Sequence, residues 1–283
     1  MKNSRTFSFI LIAIIYIVAA LFGVWAYVAL AQMDVWLRLL IAEVFATVIT
    51  FVFSVLFKNA SVYDPYWSVQ PIVIVFAFAF YNSITLPKIL LLIAIAFWGV
   101  RLTANWAVNF YGLNYQDWRY TMLKEKTGVF YPIINFTGIH MVPTLIVYAC
   151  TLPAVYVILS DMPITPIAIC CFALSVIAVV IQGSADYQMY KFRLNKTSTF
   201  INVGLWKYSR HPNYFAEILM WWSVALFAVS VLGFKWYLIL GAILNNLLFL
   251  FVSIPLADGK QSKKEGFEDY KKSTRMLLPI KKF

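Results

Sequence analysis

The amino-acid sequence predicts an all-α fold, a polytopic bundle of transmembrane helices forming one integral membrane domain over residues 1–283. Three observations carry that prediction. Hydrophobic residues make up 62% of the chain and charged residues 12%, about half the charged share of a soluble domain. Apolar runs long enough for a hydrocarbon core of ~30 Å recur along the chain. The basic residues between those runs alternate from loop to loop, as a fixed membrane topology requires.

Eight runs are read as spans, at 7–30, 36–57, 67–83, 88–108, 140–160, 164–186, 214–232 and 236–256. The third is the shortest, and Pro65 and Pro71 mark its start; without it the count is seven. The first run follows Lys2 and Arg5 and ends at Ala29-Leu30-Ala31, which resembles a signal-peptidase site. Its apolar length exceeds a typical signal-peptide core, so a retained helix is expected. With the N-terminus inside, segments 1–6, 58–66, 109–139, 187–213 and 257–283 hold 19 of the 23 Lys and Arg residues. Arg38, Lys88 and Lys235 fall on the other side, and Arg101 lies within a span. Both termini are therefore expected in the cytoplasm, with 257–283 as a tail too short to fold alone. The net charge of +11 follows from this placement at helix ends and does not describe a nucleic-acid surface. Cys150, Cys170 and Cys171 sit in apolar runs without metal-ligand spacing, so they read as small buried hydrophobes and no metal site is expected.

Polar side chains inside spans are costly and tend to face a cavity or one another. Here they recur four residues apart, which places them on one helix face. Arg101, Asn105 and Asn109 form one stripe. Gln182, Asp186 and Tyr190 form a second, with Arg193 a turn further on. Asn213 and Glu217 form a third, continued by Trp221. Three stripes near the same end of their helices predict a cavity open to the cytoplasm. Glu43 and the pair Asn245–Asn246 also interrupt apolar runs and read as interhelical glue or as function. Lys191, Arg193, Lys196, Lys207, Arg210 and His211 crowd the 187–213 loop, which suits anionic headgroups and also a bound polyphosphate. There is no strand-associated GxGxxG and no Walker glycine loop, so any nucleotide must be held by the bundle itself.

Two segments carry a resemblance. Gly204-Leu-Trp-Lys-Tyr-Ser-Arg-His-Pro-Asn-Tyr-Phe-Ala-Glu217 and Gly266-Phe-Glu-Asp-Tyr-Lys-Lys-Ser-Thr-Arg-Met-Leu-Leu-Pro279 resemble the signatures of the steroid 5-alpha-reductase superfamily. Asp64-Pro-Tyr-Trp67 and Trp98-Gly-Val-Arg-Leu102 are similar to motifs of its bacterial branch, and weaker likeness reaches back to about residue 60. The resemblance implies a reductase in a bacterial inner membrane, passing a hydride from NADPH to an activated C=C bond of a steroid or other isoprenoid lipid taken from the bilayer. It implies that Asn109, Asp186, Arg193 and Asn213 touch the nucleotide. Glu217 and Arg101 lie in the same region, with Tyr208, Arg210 and His211 as neighbours. Asp64 takes the place of the carboxylate that polarises the substrate ketone.

Trp98 stands where steroid-reducing members have a tyrosine. An indole N–H can donate a hydrogen bond but gives up no proton at a useful pKa, so either Trp98 orients the substrate and another group supplies the acid, Tyr66 being the nearest spare phenol, or the substrate is not an enone of the steroid kind. Ala257-Asp258 and the Thr197–Val203 linker also depart from the family pattern. Two other readings stay open. One is an S-adenosylmethionine-dependent isoprenylcysteine-type methyltransferase, which shares the Arg-His-Pro-x-Tyr pattern. The other is a non-catalytic sterol- or lipid-binding protein. The topology gives the first test: reporter fusions after residues 34, 85, 161 and 234 should all register the outer side. An inner-side signal at 85 would show that the third run does not cross, and the count would drop to seven.

Overall fold

The computed structural model describes residues 4–81, 83–195 and 198–281; Lys2, Lys196 and Thr197, used above, lie outside them. The described residues are helical throughout, with one isolated bridge between Ser209 and Arg275 in place of any strand. The helices are α1 (Arg5–Ala29), α2 (Val35–Leu56), α3 (Tyr66–Ala79), α4 (Leu86–Asn109), α5 (Trp118–Thr127), α6 (Tyr131–Ile134) and α7 (Val142–Ile158). They continue with α8 (Pro166–Asn195), α9 (Pro212–Leu232), α10 (Tyr237–Leu248), α11 (Ile254–Gln261) and α12 (Phe267–Ser273).

Seven helical segments among the described residues are long and apolar enough to cross a membrane: α1, α2, α4, the continuous run Trp118–Ile158, α8, α9 and Tyr237–Gln261. This is the lower of the two counts expected. The missing candidate is the third run, whose helix α3 has 14 residues, about 21 Å at 1.5 Å per residue. It begins just after Pro65, continues through Pro71 and ends at Ala79. Elsewhere the helices outrun the apolar stretches. The fifth begins at Trp118 rather than 140, and α8 continues to Asn195, so Asp186, Tyr190 and Arg193 ride on one helix.

Two of the spans are interrupted by π-helical turns, Asn135–Met141 and Phe249–Ser253. Each ends just before a helical proline, Pro143 and Pro255. A proline lacks the N–H of its turn and its ring presses on the carbonyl four residues back. The widened turn relieves that clash without ending the helix.

The chain divides into two compact units. The first gathers residues up to Ile74 with Leu102–Leu152, and the second gathers Val75–Arg101 with the chain from Pro153 onward. In the first unit α1 packs along α2 through a seam of small residues: Ala19, Gly23 and Ala26 against Ala42 and Ala46. Such seams let backbones approach closely, which is what drives helix association in lipid. A Cβ on Gly23 would lie 3.3 Å from the Ala42 carbonyl oxygen. In the second unit α8 and α9 share the most extensive helix contact, and α10 packs on α9.

Gly23→Leu should therefore separate α1 from α2 and lower the melting temperature in detergent by several degrees, in line with about 1–3 kcal/mol for overpacking. Gly259→Ala, at a helical glycine with open space around it, serves as the control and should leave the melting temperature unchanged.

Candidate functional site

The second unit contains the polar cluster. Glu217 lies one turn into α9, 3% exposed, and three side chains donate to its carboxylate. Trp98 Nε1 on α4 donates to Oε2 at 2.9 Å, and Trp221 Nε1, one turn along α9, donates to Oε1 at 2.8 Å. Gln182 Nε2 on α8 also donates to Oε2. The two indoles meet edge to face with centroids 4.8 Å apart. One carboxylate thus fixes three helices at a single level, which answers the cost of burying it.

One turn nearer the α9 N-terminus, Arg101 Nη1 on α4 donates to Asp186 Oδ2 on α8 at 2.5 Å, and Asn213 Nδ2 donates to Asp186 Oδ1 at 3.3 Å. The aliphatic part of Arg101 runs beside Gly183, where a Cβ would sit 3.6 Å from its Cδ. Arg101 Nε and Nη2 are buried and have no partner among the described residues, and the same holds for Gln182 Oε1. A buried guanidinium using one of its donors leaves a fork shaped for an oxyanion.

The predicted stripes on α4, α8 and α9 do meet here, through Arg101, Gln182, Asp186, Asn213 and Glu217. Other predicted residues are placed differently. Glu217 has both oxygens occupied by protein donors. The single N–H of Trp98 is spent on Glu217, so it is not presented to a substrate. Asn109 lies in the first unit, and its Nδ2 bonds back to Asn105 on its own helix at 2.8 Å from the carbonyl oxygen. Arg193 and Tyr208 are exposed, with the Arg193 charge close enough to act on Asp186.

Arg210 and His211 serve the tail. Arg210 Nη2 donates to Asp258 Oδ2 at 3.1 Å, and His211 Nε2 lies 2.9 Å from Asp258 Oδ1. Arg210 Nη1 also donates to the carbonyls of Lys271 and Thr274. Ser209 Oγ reaches the carbonyl of Leu277 at 2.7 Å, and the Tyr270 hydroxyl donates to that of Trp206. The two signature segments therefore fold onto each other, with Asp258 between them. His211 stacks on Tyr214 in the first turn of α9, rings 5.2 Å apart, so the clasp holds the turn that carries Asn213.

Asp64 and Tyr66 belong to the first unit. Tyr120 donates its hydroxyl to Asp64 Oδ1 at 2.7 Å. Tyr66 is buried, its hydroxyl near Glu43 and Thr47, with Gln70 one turn further along α3 also beside Glu43. Glu43 Oε2 and both polar atoms of Gln70 are buried without a partner among the described residues. Sequence reasoning left Gln70, Tyr120 and Asp258 out of the site. The Tyr66–Gln70 spacing of four was a readable signal, whereas the contacts of Tyr120 and Asp258 come from residues 56 and about 48 positions away.

These features define a helical membrane protein with a buried, charged cluster between three of its helices. Residues 50–274 match the family described as "Protein of unknown function (DUF1295)", and the chain belongs to that family. An uncharacterized protein of Schizosaccharomyces pombe is 26% identical over 204 residues, 62% of this chain and 59% of the relative. The chain thus spans about three fifths of that relative's length. No solved structure matches it significantly.

Asp64 lies between α2 and α3, outside the seven spans. Burial pushes its carboxyl up to about 6, with Asp117 adding to the rise and Arg119, Tyr120 and Ser61 opposing it. The folded value lies above the unfolded one, so the folded state holds the extra proton and stability falls as pH rises from about 4 to about 6. Above that window the ionised carboxylate costs at most about 3 kcal/mol, less whatever solvent screens at this half-buried side chain. Asp64→Asn keeps an acceptor for Tyr120. It should melt a few degrees above the parent at pH 7.5 and level with it at pH 4; an equal difference at both pH values would contradict the assignment.

Proposed function

We propose that this protein is an NADPH-dependent membrane reductase of the steroid 5-alpha-reductase superfamily, acting on an activated C=C bond of a steroid or other isoprenoid lipid enone. The membrane proposed is the inner membrane of a bacterium; both termini lie on the cytoplasmic side if α3 crosses as an eighth segment beside the seven longer ones. The observation that carries the reading is Arg101, whose buried Nε and Nη2 lack a partner beside Asp186 and Asn213. A phosphate oxygen pair fits that fork, and the residue types match those the resemblance assigns to the nucleotide. The clasp of Arg210, His211 and Asp258 supports it by holding the α9 turn that carries Asn213.

When bound, NADPH would supply the hydride that adds to the β-carbon of the enone. Arg101 would hold the phosphate charge, with Asp186 keeping the guanidinium in place. Asn213, bonded to Asp186, presents its side-chain oxygen to the backbone N–H of Tyr214 at 3.1 Å and so stays oriented. Glu217 fixes Trp98, Trp221 and Gln182 as a rigid floor. Asp64 is the group proposed to hydrogen-bond the carbonyl oxygen, where charge gathers as the hydride arrives. Its raised value keeps part of the population protonated near pH 6, and one donor at such an oxygen is worth about 3–4 kcal/mol. The α-carbon takes a proton, and the products are the saturated ketone and NADP+.

A thermal-shift titration in detergent tests this. NADPH at a hundredfold excess over its Kd should stabilise the protein by about 2.7 kcal/mol, several degrees in melting temperature, while S-adenosylmethionine should do nothing. Asn213→Ala and Asp186→Asn should each remove the NADPH shift, and Asp64→Asn should retain it while cutting enone turnover at least about a hundredfold. Stabilisation by S-adenosylmethionine alone would replace the reading with the methyltransferase one. No shift with either would favour the lipid-binding alternative.

A further inference from the structure

We propose that the first unit carries a binding site for the hydroxyl head of an apolar alcohol, of the sterol or long-chain prenol kind, whose O–H donates to Nε2 of His140. The site rests on the π-helical turn Asn135–Met141. His140 is completely buried, and its Nδ1 lies 2.9 Å from the backbone carbonyl of Asn135. A carbonyl can only accept, so Nδ1 carries the proton. An imidazolium here would bury a charge with no carboxylate among its ring contacts, which a low-dielectric interior opposes. The ring is therefore the neutral Nδ1–H tautomer, and Nε2 presents a lone pair.

That lone pair has no partner among the described residues, and neither has Asn135 Oδ1, on a side chain 5% exposed. Both orphans are acceptors, so the turn lacks a donor. Ser54 Oγ accepts from Asn135 Nδ2 at 3.4 Å, and no nearby hydroxyl is bonded to either orphan among the described residues. Tyr63 is bonded to Thr144 at 2.7 Å, and Thr144 to Thr47 at 2.9 Å. The walls are aromatic: Tyr63 packs 4.7 Å from the imidazole centroid and Phe51 packs edge-on at 5.4 Å, with Phe136 against Phe51. An O–H group on an apolar body matches one lone pair set among rings. The outer face of the turn is thin, since Gly138 is exposed and a Cβ there would meet only Ile134, at 3.8 Å. π-turns of this kind frequently mark functional positions, because the extra residue re-aims the side chains around it.

The shared chemistry is an O–H donor, so a lipid alcohol and a trapped water are the two sources to separate. The probes are geranylgeraniol and its methyl ether, which keeps the chain and the oxygen but loses the donor. Added to the purified full-length protein in detergent without any nucleotide, the alcohol should raise the melting temperature by about 3 °C more than the ether. His140→Phe, matching the ring in shape, should abolish that difference, and His140→Gln should retain part of it through its carbonyl acceptor. Equal shifts for alcohol and ether in the parent protein mean a site for water or none, and overturn the proposal even if His140→Phe fails to yield monodisperse protein. A difference that survives in His140→Phe overturns it as well. Because no nucleotide is present, the outcome is independent of the reductase reading.

Discussion

Glu217 is the constraint on which the second unit depends. Its carboxylate is buried where water cannot reach it, and it takes donors from α4, α8 and its own helix. Between apolar helices in lipid there is little hydrophobic drive to choose one rotation over another. A carboxylate that must find three donors makes that choice, because a helix turned by one residue would leave an acceptor bare. Arg101, Asp186 and Asn213 inherit their positions from this registration, one turn away on the same three helices. The charged cluster and its anchor are thus one construction.

The tail extends the same logic beyond the spans. Residues 257–281 are too few to form a core, and they order by lending carbonyls to Arg210 and Ser209 and a carboxylate to Arg210 and His211. The pair Ala257-Asp258, a departure from the family pattern in sequence, supplies in Asp258 the acceptor of this clasp. Gly204 belongs to it too, since its φ of +60° and the closeness of Gln188 exclude a side chain there. Gln188 in turn accepts from the backbone N–H of Leu205 at 2.9 Å.

In the first unit the distribution of polar atoms is different. Besides the group of Asp64, Asp117 and Arg119 there is a run of hydroxyls, amides and one imidazole, from Glu43 and Gln70 past Tyr66, Thr47, Thr144 and Tyr63 to His140 and Asn135. Several of its atoms are unpaired, and orphan buried polar atoms are scarce in native proteins unless something fills them. The small-residue seam of α1 and α2 and the π-turn before Pro143 set the walls of this region. Both are backbone devices, one allowing close approach and the other re-aiming side chains.

The sequence by itself determined the helical membrane class, because hydrocarbon leaves a chain this apolar no other way to satisfy its backbone. It also determined which faces of α4, α8 and α9 carry polarity, since a spacing of four is a local property of a helix. It marked the third run as the shortest of eight, and α3, with 14 residues, is the one absent from the seven long helices; it placed the fifth helix's start 22 residues late, because Trp118–Thr127 is polar yet continuous with the span. Which polar atoms meet was decided only by tertiary structure. Trp98 could have offered its N–H to a ligand and instead gives it to a carboxylate 119 residues away. Arg210 and His211 bond to Asp258 and, through Arg210, to carbonyls of the tail. His140, at the first position of the fifth apolar run, lies in the π-turn and is completely buried. A hydrogen bond between distant residues has no signature in either residue alone; only the packing of helices that brings them within 3 Å decides it.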